Sequence, residues 1–186
     1  MTPQKLIECL ELNPIIAAVH DSAFAAALDS PAEVIFYLKA SILTVSERVR
    51  AAHAAGKSIL VHIDLADGVG KDRAGIEYLA SLGVDGIIST RTQLLRQAKE
   101  QGLIAVQRFF ALDSQGMESI SENLENTVCD LIEIMPGVIG KAISRFAGGR
   151  VPVIAGGLIE TKKEVTSALE CGALAVSTGK QDLWYS

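Results

Sequence analysis

The sequence lacks several features that mark whole classes of protein. No apolar run approaches the roughly 20 residues that a membrane-spanning helix needs. The amino-terminal segment 1–13 carries acidic residues where a secretory signal would have a long apolar core. The three cysteines, Cys9, Cys129 and Cys171, are odd in number and far apart, which indicates reduced thiols rather than a disulfide framework or a zinc site. We therefore expect a cytoplasmic protein with no membrane partner.

Positive charge and aromatic side chains are also scarce. The 186-residue chain has a formal net charge of −5, and aromatic residues make up 5% of it. Indiscriminate binding to nucleic acid needs clustered Lys and Arg, so it is not expected, although a local basic patch stays open as an alternative. The chain has no HExxH sequence, P-loop, nucleophile elbow or metal triad. The motifs therefore predict no catalytic residue, no metal and no cofactor, and they leave catalysis open.

What the chain does contain is a regular repeat of apolar runs. It is 49% hydrophobic and of a length typical of one domain, so we expect residues 1–186 to form a single globular domain. The runs are mostly continuous rather than alternating, which is typical of strands buried on both faces. Helix-like stretches separate them. The eight runs are 14–20, 33–38, 58–64, 85–90, 104–110, 131–137, 152–158 and 173–179.

Glycines mark the ends of several of the predicted helices, because a residue without a Cβ adopts the left-handed C-cap most easily. These are Gly56, Gly83, Gly102 and Gly172. Thr161 and Glu164 have the spacing of a capping box that opens a helix.

Alternating strands and helices predict a parallel sheet, and eight strands favour a compact (β/α)8 TIM-type barrel. The fold typically takes about 250 residues, so the loops must be minimal. Only residues 180–186 follow the last run, so the eighth helix is expected to be short or missing. Leu183, Trp184 and Tyr185 either cover that gap or pack against another subunit, which leaves a homo-oligomer open. The alternative fold is a doubly wound open sheet, but its glycine-rich fingerprint is absent after the first run.

The last two predicted strands end in small residues. In a barrel these ends lie on the ligand-binding face, and the loops after strands 7 and 8 often form a phosphate cup. A phosphate must approach backbone N–H groups closely, and a Cβ would obstruct it. The alternative is that the paired glycines only permit a tight turn. The candidate phosphate-binding residues are Gly156, Gly157, Ser177, Thr178 and Gly179.

Polar residues collect at the carboxyl ends of the other predicted strands, where a buried charge is costly unless it is paired. Alternation with a period of two places His62 and Asp64 on one face, and Gln107 and Arg108 on opposite faces. Together with a phosphate cup, hydroxyl-binding carboxylates predict a site for a small phosphorylated polyol. The polar residues at these ends are His20, Lys39, His62, Asp64, Arg91, Gln107, Arg108 and Glu133.

Each of these residues also has a structural explanation. Lys39 and Arg91 fit exposed loops, and His62 fits a hydrogen-bonded core histidine. Asp64 and Glu133 fit either structural partners of Arg108 or an acid/base pair.

Six segments resemble, in the same order, those of a known protein family: "VHIDLADGVG", "DGIISTR", "QRFFALDS", "IEIMPGVI", "AGGLIETKKEV" and "STGKQDLW". Together they resemble the glycerol-3-phosphate-responsive antiterminators, bacterial regulators of the glycerol uptake operon. The resemblance runs from about the first strand to the carboxyl terminus. One difference is that the first strand ends in "AAVH" where the family often has "PAIR", so His20 stands in place of an arginine.

The resemblance implies a (β/α)8-type protein that binds glycerol 3-phosphate and acts on the leader of the glycerol operon mRNA. It implies a place in the effector pocket for Asp64, Arg91, Arg108, Glu133, Pro136, Gly137, Gly156, Gly157 and Thr178. We therefore predict a non-enzymatic, effector-binding regulator. The alternatives are a small barrel enzyme acting on a phosphorylated metabolite and a phosphate sensor that signals through a protein partner.

Binding to the mRNA leader is implied by the resemblance alone, since the chain contains no RRM, KH or other RNA-binding motif. Three basic groups could contact RNA, and each could equally be a solvated helix face. They are Lys141, Arg145 and Arg150; Lys162 and Lys163; and Arg91, Arg96 and Lys99.

Overall fold

Eight parallel strands form a closed barrel in the computed structural model, which describes residues 1–185. Each strand pairs with its neighbour in the chain, and β8 closes the barrel onto β1 with Ile15 opposite Val176. All eight lie within the predicted apolar runs, so the closed barrel is confirmed and the open sheet is wrong. The strands are β1 Ile15–Val19, β2 Val34–Tyr37, β3 Ser58–His62, β4 Gly86–Ser89, β5 Ile104–Phe110, β6 Leu131–Met135, β7 Val153–Gly156 and β8 Ala175–Thr178.

Seven helices, α2 to α8, connect successive strands, and α1 precedes β1. The helices are α1 Pro3–Leu12, α2 Phe24–Asp29, α3 Val45–Ala54, α4 Arg73–Ser81, α5 Thr92–Glu100, α6 Ser114–Glu125, α7 Gly140–Phe146 and α8 Lys162–Glu170. The four glycines predicted to end helices all have positive φ, between 72° and 97°. None of the helices described over residues 1–185 has the length and apolar character to cross a membrane.

The helix that follows the eighth strand is short, as predicted. Within residues 1–185, the segment after β8 forms one 3₁₀ helix, Gln181–Tyr185, which packs against β1, β8 and α2. Trp184 is 1% exposed, and its indole Nε1 donates a 2.8 Å hydrogen bond to the carbonyl of Thr178. Leu183 is buried beside it, whereas Tyr185 is exposed. Leu183 and Trp184 therefore cover the gap within their own chain.

Helix α1, which the sequence analysis did not identify, closes the amino-terminal end of the barrel. Its Leu6 and Leu10 are fully buried among the apolar side chains that point into the barrel, including Phe36 and Leu131. A second apolar cluster lies outside the strands, between the sheet and the helices. Because α1 fills the amino-terminal end, the open end of the barrel is the carboxyl-terminal one, where the polar residues lie.

Truncating α1 should therefore destabilise the whole barrel. We expect Leu6→Ala to lower the free energy of unfolding by about 2–5 kcal/mol, the usual cost of a cavity at a buried leucine. Leu12→Ala, at the exposed end of the same helix, is the matched control and should change it by less than about 0.5 kcal/mol. Urea unfolding measures both. Equal effects would mean that α1 does not fill the barrel.

Candidate functional site

Four strands bring polar or small residues into one layer inside the carboxyl end of the barrel. Strand register places Arg108 of β5 opposite Glu133 of β6, and Gly156 of β7 opposite Ser177 of β8. Alternation along each strand points these positions inward, since Val106, Leu131, Ile154 and Ala175, two residues earlier, belong to the cluster inside the barrel.

A buried ion pair forms the centre of this layer. Arg108 Nε donates a 2.6 Å hydrogen bond to Glu133 Oε2, and Ser177 Oγ donates one of 2.5 Å to Glu133 Oε1. All three residues are at most 8% exposed. The two charges cancel, which satisfies the requirement that a buried charge be paired. The terminal Nη atoms of Arg108 donate no hydrogen bond within residues 1–185, so they are available to a ligand.

The ion pair explains the first of the two adjacent glycines. A Cβ on Gly156 would collide with Glu133 Oε1 and would lie 2.8 Å from Ser177 Oγ. Gly156 therefore leaves room for the glutamate carboxylate. Its role in this structure is to accommodate Glu133, in addition to any contact with a phosphate.

A cavity of about 180 Å³ opens above the ion pair at the mouth of the barrel. An adjoining depression of about 270 Å³ shares part of its wall and adds Glu160 and Lys180. The cavity is smaller than the roughly 300–1,000 Å³ that drug-sized ligands occupy, so it suits a small ligand. Its lining residues are Ala18, His20, Leu38, Arg108, Glu133, Met135, Gly157, Leu158, Ile159, Ser177, Thr178 and Gly179.

One wall of this cavity is made of backbone. Gly157 and Leu158 follow each other with φ of 76° and 60°, both in the left-handed region. The N–H groups of Gly157, Leu158 and Gly179 donate no hydrogen bond to an acceptor within residues 1–185. Successive backbone N–H groups in a turn form a concavity that binds anions. We name these three N–H groups the amide cup.

Helix α8 does not contribute to the amide cup. It begins at Lys162, after the loop 157–161 that follows β7. The capping box is confirmed: Thr161 Oγ1 accepts from the N–H of Glu164, and the Glu164 carboxylate accepts from the N–H groups of Glu160 and Thr161. Because these donors are already bonded within the helix end, the anion-binding capacity lies in the loop before it.

Thr178 and Gly137 hold the cup in place from either side. Thr178 Oγ1 donates a 2.8 Å hydrogen bond to the carbonyl of Ile159. Gly137 donates its N–H to the carbonyls of Gly156 and Gly157, and a Cβ there would lie 2.8 Å from the Gly156 nitrogen. Gly137 thus packs tightly against the end of β7, and neither Pro136 nor Gly137 lines the cavity.

Asp64 lies outside the cavity, in a 3₁₀ turn at Ile63–Leu65 that follows β3. The prediction that strand alternation places it on one face with His62 is therefore wrong. Its carboxylate accepts hydrogen bonds from Ser89 Oγ and from both the N–H and Oγ1 of Thr90. Burial raises the pKa of Asp64, but these hydrogen bonds outweigh burial and hold the pKa below its usual value. Asp64 thus fastens the end of β4 to the end of β3.

The two predicted cations at the rim also lie away from the cavity lining. Arg91 Nε is 3.4 Å from Asp64 Oδ1, and its side chain is 53% exposed. Lys39 Nζ is 3.9 Å from Asp67, and both side chains are more than half exposed. They belong to the solvated rim of the barrel mouth.

His62 is buried next to the ion pair and is electrically neutral. It is 3% exposed, and its Nδ1 has no hydrogen-bond partner within residues 1–185. Burial, and then the positive charge of Arg108, lower the pKa of His62 to about 4. Asp64 acts in the opposite direction but does not compensate. His62 therefore adds no positive charge beside the Arg108–Glu133 ion pair at neutral pH.

The sequence analysis left six cavity residues outside the predicted pocket, one of which is Met135 at the end of β6. Ala18 and Leu38 could have been found by extending inward alternation from Ile16 and Phe36. His20 was noted as a polar strand end and lines the cavity at its exposed edge. Leu158 and Ile159 lie in the loop after β7, and the left-handed backbone of Leu158 has no sequence signal.

With this geometry in place, comparison with known proteins decides the family. Residues 15–184 match the model of the glycerol-3-phosphate responsive antiterminators. The protein belongs to this family. A curated relative is the Escherichia coli protein YgcP, itself uncharacterized, which is 34% identical over 96% of this chain and 95% of its own.

Solved structures of antiterminators share the fold of this family member. The glycerol uptake operon antiterminator regulatory protein of Listeria monocytogenes is 33% identical, with a TM-score of 0.86 over 92% of this chain and 95% of its own. A related protein from Thermotoga maritima is 34% identical, with a TM-score of 0.82 over 91% and 96%. Deoxyribose phosphate aldolase from Aeropyrum pernix, 12% identical with a TM-score of 0.69 over 97% and 89%, shares the fold alone.

Removing the charge of one partner of the ion pair should destabilise the folded protein. Glu133→Gln leaves Arg108 buried without its counter-charge, and we expect a loss of about 3–5 kcal/mol in the free energy of unfolding. The double variant Arg108→Met/Glu133→Gln removes both charges and should recover much of that loss. Urea unfolding of the three proteins measures the difference. A double variant no more stable than the single one would show that pairing is not what the two residues provide.

The low pKa of His62 predicts a pH dependence of stability. The folded protein binds this proton only below about pH 4, whereas a histidine of ordinary pKa 6.5 in the unfolded chain binds it earlier. The unfolded state thus holds more protons between these values, and stability falls as the pH drops through this window. Between pH 7 and pH 5, His62→Gln should remove on the order of 1–2 kcal/mol of the decline seen in urea unfolding.

The matched control is His20→Gln, at an exposed histidine after β1 whose side chain forms no hydrogen bond or ion pair within residues 1–185, whereas His53 is bonded to Asp85. It should leave the decline unchanged. The same pH dependence in wild type and His62→Gln would contradict the assignment of a depressed pKa to His62.

Proposed function

We propose that this protein binds glycerol 3-phosphate, or a closely similar phosphorylated polyol, at the barrel mouth and then acts as an antiterminator on a glycerol operon leader mRNA. One observation carries the effector part: a small cavity has unpaired backbone N–H groups on one wall and a neutral, hydrogen-bonding ion pair on its floor. Membership of the antiterminator family supports the action on RNA.

The amide cup supports binding of the phosphate. Backbone N–H groups that no protein acceptor uses can donate to phosphate oxygens, as they do at helix N-termini and in anion-binding turns. Gly157 and Gly179 present no side chain, so a phosphate can approach their backbone closely. Lys180 lines the adjoining depression and adds a positive charge at its edge.

The floor of the cavity supports recognition of hydroxyl groups. Arg108 offers free Nη donors, while Glu133 and Ser177 offer acceptors in the same layer. The Arg108–Glu133 pair has no net charge, so it gives no electrostatic preference for a second anionic group on the ligand. The proposed site therefore favours a phosphorylated polyol over a phosphorylated hydroxy acid.

The carboxylate geometry favours a regulator over an enzyme that uses Asp64 and Glu133 as acid and base. Asp64 lies outside the cavity and already accepts three hydrogen bonds. Glu133 is held between Arg108 and Ser177. A general base must reach the proton that it removes, and Asp64 does not reach the cavity, so the two carboxylates cannot act as an acid/base pair in this arrangement.

Effector binding should be visible as thermal stabilisation. A ligand at a hundredfold excess over its Kd stabilises the folded state by about 2.7 kcal/mol, which raises the Tm of a protein of this size by about 5–10 °C. We expect this rise with glycerol 3-phosphate and not with glycerol. Equal stabilisation by glycerol would contradict a phosphate-dependent site.

Gly179→Val tests the amide cup directly. A Cβ on Gly179 would only touch the carbonyl of Ala18 at 3.4 Å, and this glycine is not among those with positive φ, so the fold should tolerate the change. The added side chain narrows the cup, and the stabilisation by glycerol 3-phosphate should disappear. Gly157 suits this test less well, because its positive φ would strain any side chain.

The control for Gly179→Val is Ala54→Val, at an exposed position on α3. It should keep the full rise in Tm. A Gly179→Val protein that folds and still gains the full rise would place the phosphate elsewhere.

A further inference from the structure

We propose that single-stranded RNA binds in a groove between α6 and α7, on the flank of the barrel. This inference rests on the proposed function, and it names the surface that the RNA contacts. The α6–α7 groove consists of two adjoining cavities of about 430 and 240 Å³ that share Arg145. Its walls include Met117, Ser121 and Leu124 from α6, Lys141 and Arg145 from α7, and Arg150 from the loop that follows.

Three cations of the groove lack an acidic partner. Arg145 Nη2 donates to Ser121 Oγ at 3.3 Å, and Arg150 Nη2 donates to the carbonyl of Thr127 at 3.1 Å. Within residues 1–185, neither these arginines nor Lys141 forms an ion pair, in contrast to Lys99, which is bound by Asp130. On a chain of net charge −5, three unpaired cations along one groove provide charge complementarity to a polyanion.

The wall of the groove that α6 forms has its acidic residues on other faces of the helix. Helix α6 faces the groove with Ser114, Met117, Ser121 and Leu124, at the three- and four-residue spacing of one helix face. The glutamates of α6 lie at other, exposed positions and do not line either cavity. Asp113 is the acidic residue at the groove, and its carboxylate accepts the N–H of Gly116 as the cap of α6.

The groove combines these cations with apolar surface, as single-stranded RNA requires. Leu124, Phe146 and Val151 line the larger cavity, and the Arg145 guanidinium lies 5.8 Å from the centre of the Phe146 ring. Unpaired bases need apolar or planar side chains to cover their faces, while their phosphates need Lys and Arg. A base-paired helix would bury its bases and make little use of the apolar lining.

The upper end of the groove adjoins the proposed effector site. It is formed by the loops after β5 and β6, which contribute Leu112 and Ile139. The same two strands carry Arg108 and Glu133, and the N–H of Ala111 donates to the carbonyl of Met135, which lines the effector cavity. A ligand that shifts these strand ends therefore moves the entrance of the α6–α7 groove.

The test uses the full chain, with labelled oligouridylate RNA and the transcribed leader of a glycerol uptake operon as probes. In Arg145→Ala/Arg150→Ala, two phosphate contacts are lost. The fall of log affinity with log salt should become less steep by about 1.4, which corresponds to about 25-fold weaker binding at 0.1 M salt. The Tm and its rise with glycerol 3-phosphate should stay as in wild type.

The control is Lys5→Ala/Arg50→Ala, which changes the net charge equally at exposed positions on α1 and α3. It should keep wild-type RNA affinity. Equal losses in both double variants, or no loss in the groove variant, would overturn the assignment. Competition by polyglutamate as effective as by RNA would also overturn it and indicate an acidic protein partner.

The two proposals fail in different ways. If glycerol 3-phosphate stabilises the wild-type protein but neither oligouridylate nor the leader RNA binds, the groove as an RNA site and the RNA step are overturned. Effector binding would then stand. RNA binding that depends on Arg145 and Arg150, without any stabilisation by glycerol 3-phosphate, would uphold the groove and overturn the proposed effector.

Discussion

The buried pair of Arg108 and Glu133 constrains the whole upper layer of the barrel. A guanidinium inside a barrel is tolerated only with a counter-charge in hydrogen-bonding geometry, and adjacent strands in register supply it. The remaining carboxylate oxygen then needs a donor, which is Ser177 on β8. The space for that carboxylate exists because Gly156 has no side chain, and the positive charge helps to keep His62 neutral.

This arrangement separates the two tasks of a phosphorylated-ligand site between side chains and backbone. Side chains at the centre of the barrel form a neutral polar floor, while the loops after β7 and β8 present N–H groups without side chains. The backbone wall depends on contacts that hold the loops, from Thr178 to the carbonyl of Ile159 and from Gly137 to Gly156 and Gly157. Residues that never touch a ligand thus determine where its phosphate can lie.

Sequence patterns predicted the barrel well because its features are local or periodic. Buried parallel strands appear as continuous apolar runs, and the glycine C-caps and the Thr161 capping box are short-range signals. Pairwise relations between distant strands were harder to predict. The role of Gly156 depends on Glu133 of the neighbouring strand β6, which is far from it in the sequence. Asp64 lies in a turn after β3, where Ser89 and Thr90 of another segment donate to it. The left-handed backbone of Leu158 carries no residue signature at all.

The strands that carry the ion pair also connect the mouth of the barrel to the α6–α7 groove on its flank. β5 and β6 run from the inner layer directly into the loops that bound the α6–α7 groove. Beyond the ladder that pairs β5 with β6, the N–H of Ala111 donates a hydrogen bond to the carbonyl of Met135, a residue of the cavity wall. A ligand can bias a surface only if it interacts differently with two arrangements of the elements between them. In this barrel those elements are the adjacent ends of β5 and β6, because these strands carry the charged floor of the cavity and lead into the upper wall of the groove.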